Sequence, residues 1–342
     1  MLRGSHRRLL STLIALGGCG GSVIQTVPIR FADSAPIQID GLTPCTSKST
    51  EPVGVDPSAP LVLLVHGCND SAARFTTLAK VFEAHGQQAI CFSYESRDTI
   101  DVGARRLARS LAQLERWAPG QPITIIGHSQ GGLVSRRAMT ATMGGEATLN
   151  GDYELVTLSS PFAGIEVARH CSMKWLHGLS FGITAGICRA IAGRSWREIH
   201  AQATLVKEPG RLRSEVTDHL QVRTDERETC RVRAASGKCE EDDFVFSLDE
   251  QDNPQTLGAR VRAREVAAGH IEIVGGPGVV PTLLIGLLQE EGILKPTPPA
   301  QQAELALLLE RLYAPERTLD EADAQNSVAL LPATRTVGAP VR

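Results

Sequence analysis

One stretch of the chain decides the fold, and it reads Ile123-Thr124-Ile125-Ile126-Gly127-His128-Ser129-Gln130-Gly131. Its first four residues form a β-branched, mostly apolar run, which is typical of a strand buried on both faces. The last five have the pattern G-x-S-x-G, and a helix is predicted from Gly132 onward. A serine at such a turn adopts a strained backbone that projects its hydroxyl above the sheet, and the flanking glycines leave room for the turn. The stretch therefore predicts Ser129 as a nucleophile.

Strands and helices alternate on both sides of this stretch. The predicted strands lie at residues 61–65, 88–94, 123–126, 153–158, 244–248 and 259–265. The predicted helices lie at residues 72–85, 100–117, 132–142, 281–290 and 301–313. Such alternation predicts an α/β fold with a mostly parallel central sheet and helices on both faces.

The residue composition of the remaining segments predicts the domain organisation. Residues 19–60 are rich in Pro, Ser, Thr and Gly and read as a tether with N-terminal edge strands, and residues 61–295 form the α/β domain. Within that domain, residues 165–243 form a long helical insertion of the kind that often covers a site as a lid. Extra helices packed without a gating role explain the same residues equally well. Residues 296–342 are predicted to hold a C-terminal helix and a loose tail.

The N-terminus has the layout of a secretory signal. A basic head at residues 3–8 is followed by the apolar stretch 9–16, which is too short to span a bilayer. The run Leu16-Gly17-Gly18-Cys19 resembles the lipobox of bacterial lipoproteins, which implies that residues 1–18 are removed and Cys19 is lipidated. With Gly20 next, the resemblance implies a lipid-anchored protein of the bacterial cell envelope, at the outer membrane. The alternative is a plain signal peptide that is cleaved elsewhere.

A serine needs a base to act as a nucleophile, and His270 is the candidate. It follows the strand predicted at 259–265 and lies after Ser129, in the chain order Ser, acid, His. The acid is expected after the strand predicted at 244–248, where Asp252 is the first choice and Asp249 and Glu250 are the alternatives. A carboxylate there would orient the imidazole and stabilise its charged form.

Two backbone N–H groups are predicted to form an oxyanion hole. One belongs to Gln130, directly after the nucleophile, and the other to the turn after the strand at 61–65, most simply Cys68. No cofactor is expected, because this chemistry needs only protein groups.

Four motifs carry a resemblance to a known family. They are Val65-His66-Gly67, Gly127-His128-Ser129-Gln130-Gly131-Gly132-Leu133-Val134, Ser159-Ser160-Pro161-Phe162-Ala163-Gly164 and Gly269-His270. Over residues 61–288 the chain resembles the lipase and esterase branch of the α/β-hydrolases, which includes triacylglycerol lipases and GPI inositol-deacylase-like proteins. Many members have Thr-Pro-His-x-Gly in place of the third motif.

The resemblance implies a serine hydrolase that cleaves carboxylic esters through a Ser-His-Asp triad and an acyl-enzyme. An apolar insertion and a lipid anchor would place it beside lipid, so a lipid or small ester is the expected substrate. Two alternatives remain open at this point: an acyltransferase or thioesterase with the same triad, and an inactive envelope lipoprotein that serves as a scaffold.

The net charge and the spacing of the cysteines indicate whether nucleic acid, disulfides or a metal site should be expected. A net charge of −3 with scattered basic residues predicts no nucleic-acid partner. The cysteines show no Cys-x-x-Cys spacing, so we expect disulfides in an oxidising compartment rather than a metal site. The pairs we expect are Cys68–Cys91, Cys171–Cys188 and Cys230–Cys239, which leaves Cys45 over.

Overall fold

The computed structural model describes residues 34–46, 51–143, 145–165, 194–234 and 236–315. The predicted signal peptide, the lipidation site Cys19, the pair Cys171–Cys188 and the tail beyond residue 315 lie outside the described residues.

The described residues contain eleven strands, seven of which form the central sheet. The strands are β1 Ala35–Ile37, β2 Leu42–Thr43, β3 Val53–Val55, β4 Leu61–Val65, β5 Gln88–Phe92, β6 Ile123–His128, β7 Tyr153–Leu158, β8 Val216–Asp225, β9 Cys230–Arg233, β10 Cys239–Asp242 and β11 Val261–Ala267. The central order is β11-β8-β7-β6-β4-β5-β2, and every pair in it is parallel except β2 with β5. The prediction of a mostly parallel sheet is confirmed.

Helices connect the strands of this sheet. The α-helices of the described residues are α1 Thr76–Ala84, α2 Ile100–Trp117, α3 Gln130–Ala138, α4 Thr204–Lys207, α5 Leu248–Gln251, α6 Thr282–Glu290 and α7 Gln302–Leu312. The Thr99 side chain accepts a hydrogen bond from the backbone N–H of Val102 and so caps α2. None of the helices described is long and apolar enough to cross a membrane.

Alternate side chains of each central strand enter two separate cores. In β4, Leu61, Leu63 and Val65 pack with α2 and α3 on one face. Val62 and Leu64 pack with α1 and α6 on the other face. The strand is therefore apolar at every position, which is what a sheet covered by helices on both faces requires.

The prediction of a strand at 244–248 is wrong, and so is the extent of the insertion at 165–243. The strand between β7 and β11 is β8, which lies inside the predicted insertion and hydrogen-bonds to both neighbours. Polar side chains that are fully buried interrupt its apolar pattern, among them His219 and Thr224. Residues 244–247 instead form no strand and lead into α5, which begins at Leu248.

A two-stranded hairpin projects beside the end of β8. It is formed by β9 and β10, which pair antiparallel, and the disulfide Cys230–Cys239 closes it. This disulfide confirms one expected pair. A second two-stranded unit, β1 with β3, lies outside the central sheet.

Candidate active site

The turn at Ser129 is built as its glycines predict. Ser129 has φ 55° and ψ −125°, a left-handed conformation that costs backbone energy and is found at functional turns. A Cβ on Gly127 would lie 2.6 Å from the carbonyl oxygen of Gly131. A Cβ on Gly131 would lie 2.3 Å from the carbonyl oxygen of Val65. Only glycine fits at either position, so the tight packing of β4 against α3 fixes the strained serine.

His270 lies next to this turn. Its imidazole is 4.7 Å, centroid to centroid, from the ring of His128, which precedes Ser129 in the chain. The Nε2 of His128 contacts the backbone carbonyl of His270 at 2.9 Å, and the ring of Phe246 meets His270 edge-on at 4.9 Å. Ser129 and His270 are each only 6% exposed. The carboxyl ends of β6 and β11 thus bring the two predicted residues into one buried site.

The carboxylate on His270 belongs to Glu226, which directly follows β8. Its Oε1 lies 3.0 Å from Nδ1 of His270. Ser159, which follows β7, places its hydroxyl 2.8 Å from the same Nδ1 and donates to Oε1 of Glu226 at 2.6 Å. Ser159 is itself left-handed, with φ 45°. The imidazole is therefore held on its Nδ1 side by Glu226 and Ser159.

Glu226 is buried and fully hydrogen-bonded. Its Oε1 also accepts from the hydroxyl of Thr224 at 2.9 Å, while Oε2 accepts from the backbone N–H groups of Val245 at 2.6 Å and Phe246 at 2.8 Å. Burial raises the pKa of Glu226, but the hydrogen bond and charge of His270 and the other donors outweigh it and place this pKa below its ordinary value. Glu226 is thus an anion at neutral pH, directed at the imidazole.

The two predicted oxyanion donors lie around Ser129. Gln130 is the first residue of α3, and a Cβ on Gly67 would lie 3.1 Å from the Cβ of Ser129, so the turn that carries Cys68 borders Ser129. Ser96 is hydrogen-bonded to both segments. Its carbonyl accepts from the Gln130 side chain at 2.7 Å, and its hydroxyl accepts from the Asn69 N–H at 3.0 Å.

Cys68 is not part of a disulfide, so the expected pair Cys68–Cys91 is wrong. Cys91 is bonded to Cys45, with their Cα atoms 5.0 Å apart. Strand β2 pairs with Cys91 and leads directly to Cys45, which brings these two residues together. Burial raises the pKa of the Cys68 thiol, so this side chain is protonated at neutral pH.

Comparisons with known proteins agree with this architecture. Residues 57–195 match the family described as "Putative serine esterase (DUF676)". The lipase BlEst2 of Bacillus licheniformis in its propeptide form is similar in structure, with a TM-score of 0.50 at 14% identity over 71% of this chain and 52% of that chain. The chain has the α/β-hydrolase fold.

Other similar structures are the mature form of BlEst2 and lipase B of Aspergillus fumigatus. The mature form gives a TM-score of 0.47 at 14% identity, covering 69% of this chain and 93% of that chain. The Aspergillus lipase gives 0.45 at 13% identity, covering 86% and 67%. The search of curated proteins found no match to this chain.

Asp252 does not reach His270. Its carboxylate binds Nη1 of Arg223 at 2.9 Å and is 45% exposed. The two alternatives do not reach the histidine either: Glu250 caps the N-terminus of α5, and Asp249 lies exposed in the first turn of that helix. The expected chain order still holds, because Glu226 lies between Ser129 and His270.

The sequence contains a signal that could have identified Glu226. Val216, Leu220 and Val222 alternate with polar residues over a run of strand length, and an acid follows at its end. The predicted insertion at 165–243 includes this run, so no strand and no acid are predicted there.

Proposed function

We propose that this α/β-hydrolase is a serine hydrolase that cleaves carboxylic esters through an acyl-enzyme on Ser129. The observation that carries the proposal is the buried Glu226–His270 contact beside the strained turn of Ser129. An imidazole oriented by a carboxylate and next to such a serine is the arrangement that activates a hydroxyl for acyl transfer. The match to an esterase family supports the same chemistry.

The first half of the reaction forms the acyl-enzyme. Nε2 of His270 takes the proton of the Ser129 hydroxyl as the serine oxygen bonds to the ester carbonyl carbon. The backbone N–H groups of Gln130 and Cys68 stabilise the negative charge that develops on the carbonyl oxygen. His270 then gives the proton to the departing alcohol oxygen, and the carbon–oxygen bond of the ester breaks.

The second half restores the enzyme. His270 takes a proton from water, whose oxygen attacks the acyl carbon, and returns that proton to Ser129 as the acid leaves. Throughout, the Glu226 carboxylate holds Nδ1–H and offsets the positive charge on the ring. Apart from the ester and the water, the groups that these steps use belong to the chain itself.

The substrate class we propose is a lipid or lipid-like ester. The support is the likeness to lipase folds and the apolar character of residues 174–192 in the sequence. A series of p-nitrophenyl esters of rising acyl length, below and above their micelle thresholds, tests it with wild type and Ser129→Ala. Rates that rise with chain length and jump above the threshold fit a lipase. A preference for short soluble esters contradicts the lipid substrate, and equal rates for the two proteins contradict the hydrolase.

We also propose that a lipid on Cys19 anchors the protein in the bacterial envelope. The support is the order of basic head, apolar stretch and lipobox in the sequence. Metabolic labelling with a fatty-acid analogue, with Cys19→Ser as the control, tests this proposal. Equal label in the two proteins would contradict it.

A further inference from the structure

Asp243 is a second buried carboxylate near the site, and it does not touch the imidazole. It follows β10, and only 2% of its side chain is exposed. Its backbone carbonyl accepts the N–H of His270 at 2.9 Å. Its carboxylate accepts the N–H of Ile271 at 3.1 and 2.9 Å, one distance to each oxygen, and the N–H of Glu272 at 2.9 Å. One residue therefore receives three consecutive N–H groups of the turn that carries His270.

Gly269 shows how closely this turn rests on Asp243. A Cβ at residue 269 would lie 2.2 Å from Oδ2 of Asp243 and 2.6 Å from its carboxyl carbon. The backbone immediately before His270 thus lies against the carboxylate with no room for a side chain. The sequence motif Gly269-His270 follows from this contact.

Arg231 neutralises the buried charge from the hairpin side. Its Nε and Nη2 donate to Oδ1 of Asp243 at 3.2 and 3.0 Å, and its Nη1 donates to Glu241 at 2.8 Å. Arg231 lies on β9, next to Cys230, whose disulfide with Cys239 closes the hairpin. A contact path of covalent bonds and hydrogen bonds therefore runs from the hairpin through Arg231 and Asp243 to His270.

We infer that Asp243 is a positioning residue for His270, held in place by Arg231 of the disulfide-closed hairpin. This inference rests on the proposed function. Glu226 fixes the imidazole at Nδ1 but makes no hydrogen bond to the backbone of the His270 turn in the described structure; Asp243 holds that backbone. A displacement of about 1 Å in a reacting group can cost about 10²-fold in rate, so the fixed backbone matters for the chemistry.

Asp243→Asn tests the inference. Both oxygens of Asp243 accept hydrogen bonds, so an asparagine must turn its NH₂ toward either Arg231 or the N–H groups of the turn, where donor meets donor. We expect kcat per active site to fall about 10- to 100-fold with KM nearly unchanged. We also expect the low-field proton NMR signal of the His270 Nδ1–H to shift or broaden.

Asp218→Asn is the matched control. Asp218 also pairs with an arginine through two hydrogen bonds, from Nε and Nη2 of Arg262 at 3.0 and 2.6 Å, but it lies near the amino end of β8. It should keep the wild-type kcat and NMR signal. A fluorophosphonate titration of each variant counts the folded sites, so a loss of folded protein is not read as a loss of rate.

If Asp243→Asn does not fold, variants of Arg231 test the same positioning role. Arg231 is 37% exposed, and Arg231→Gln should lower kcat by a smaller factor, which Arg231→Lys should largely restore by keeping the charge. The inference is overturned if Asp243→Asn has wild-type kcat per labelled site, or if both Arg231 variants do when Asp243→Asn does not fold. A wild type that takes up no label overturns the proposed function instead, and the inference with it.

Discussion

Replacing Glu226 by glutamine changes one atom of the buried group that holds His270. In the wild type, Oε2 accepts two backbone N–H groups, from Val245 and Phe246, which can only donate. Oε1 faces Nδ1 of His270 and the hydroxyls of Ser159 and Thr224, and these hydroxyls can rotate to accept. The glutamine oxygen therefore takes the place of Oε2, and its NH₂ takes the place of Oε1.

This orientation selects the wrong tautomer of His270. An amide NH₂ facing Nδ1 can only donate, so Nδ1 must accept and the ring proton moves to Nε2. A protonated Nε2 cannot take the proton of Ser129. A wrong tautomer in a serine triad costs about 10⁴-fold in kcat. We therefore expect a loss of about 10³- to 10⁴-fold, roughly 4–5.5 kcal/mol of transition-state stabilisation.

The assay is steady-state hydrolysis of p-nitrophenyl butyrate, with circular dichroism to confirm folding. Asp252→Asn is the matched control, because Asp252 binds Arg223 and is half exposed, and it should stay close to wild-type activity. If Glu226→Gln keeps its activity within about tenfold while Asp252→Asn loses it, the assignment of Glu226 is refuted and the acid first expected from the sequence is restored.

Three further outcomes concern stability and packing. Gly269→Ala should destabilise the fold by about 1–3 kcal/mol in urea unfolding, because its Cβ meets the Asp243 carboxylate; an unchanged midpoint would contradict the packing described. Removing Cys45–Cys91, which closes 46 residues, with Cys45→Ser should cost about 3–4 kcal/mol, whereas Cys68→Ser should cost little; equal effects would argue against this pairing. Because folding lowers the pKa of Glu226, its ionised form stabilises the protein above its ordinary value of 4.5. That contribution begins to be lost as pH falls below 4.5 and disappears as pH passes the lowered pKa of the folded protein, so the difference in unfolding free energy between wild type and Glu226→Ala should shrink from pH 7 to pH 4, and a constant difference would contradict the lowered pKa.

Apolar periodicity predicts those parts of the fold whose residues are buried on a uniform pattern. The predicted bounds are correct for strands 61–65 and 153–158 and for helix 100–117. The apolar residues of the two strands fill both faces of the sheet, and those of the helix form one stripe along its surface. The G-x-S-x-G turn is predictable because two glycines are required by backbone contacts that any such turn makes.

The carboxylate beside His270 could not be placed in the same way, because the buried strand before it, β8, contains many polar side chains. His219 bonds to Thr157 and Gln221 bonds to Thr256, so polar side chains are buried with partners that lie far away in the sequence. Such partners come into reach only in the folded sheet, and without them the strand looks like part of a polar insertion. Conversely, Phe244–Leu248 is mostly apolar like a buried strand, yet the N–H groups of Val245 and Phe246 bond to Glu226.

The disulfide Cys45–Cys91 could not be predicted from the sequence for a related reason. Cys68 and Cys91 both lie near strand ends, but so does Cys45, and only the antiparallel pairing of β2 with β5 brings Cys45 to Cys91. Short-range pairs such as Cys230–Cys239 are easier to predict, since these two cysteines are only nine positions apart in the sequence.

The central claim, that Ser129 is a nucleophile activated by His270, is tested most directly by fluorophosphonate labelling followed by peptide mass spectrometry. We expect one adduct, on the peptide that contains Ser129, no adduct in Ser129→Ala, and much slower labelling in His270→Ala. An unlabelled wild type, or an adduct that persists unchanged in Ser129→Ala, would contradict it.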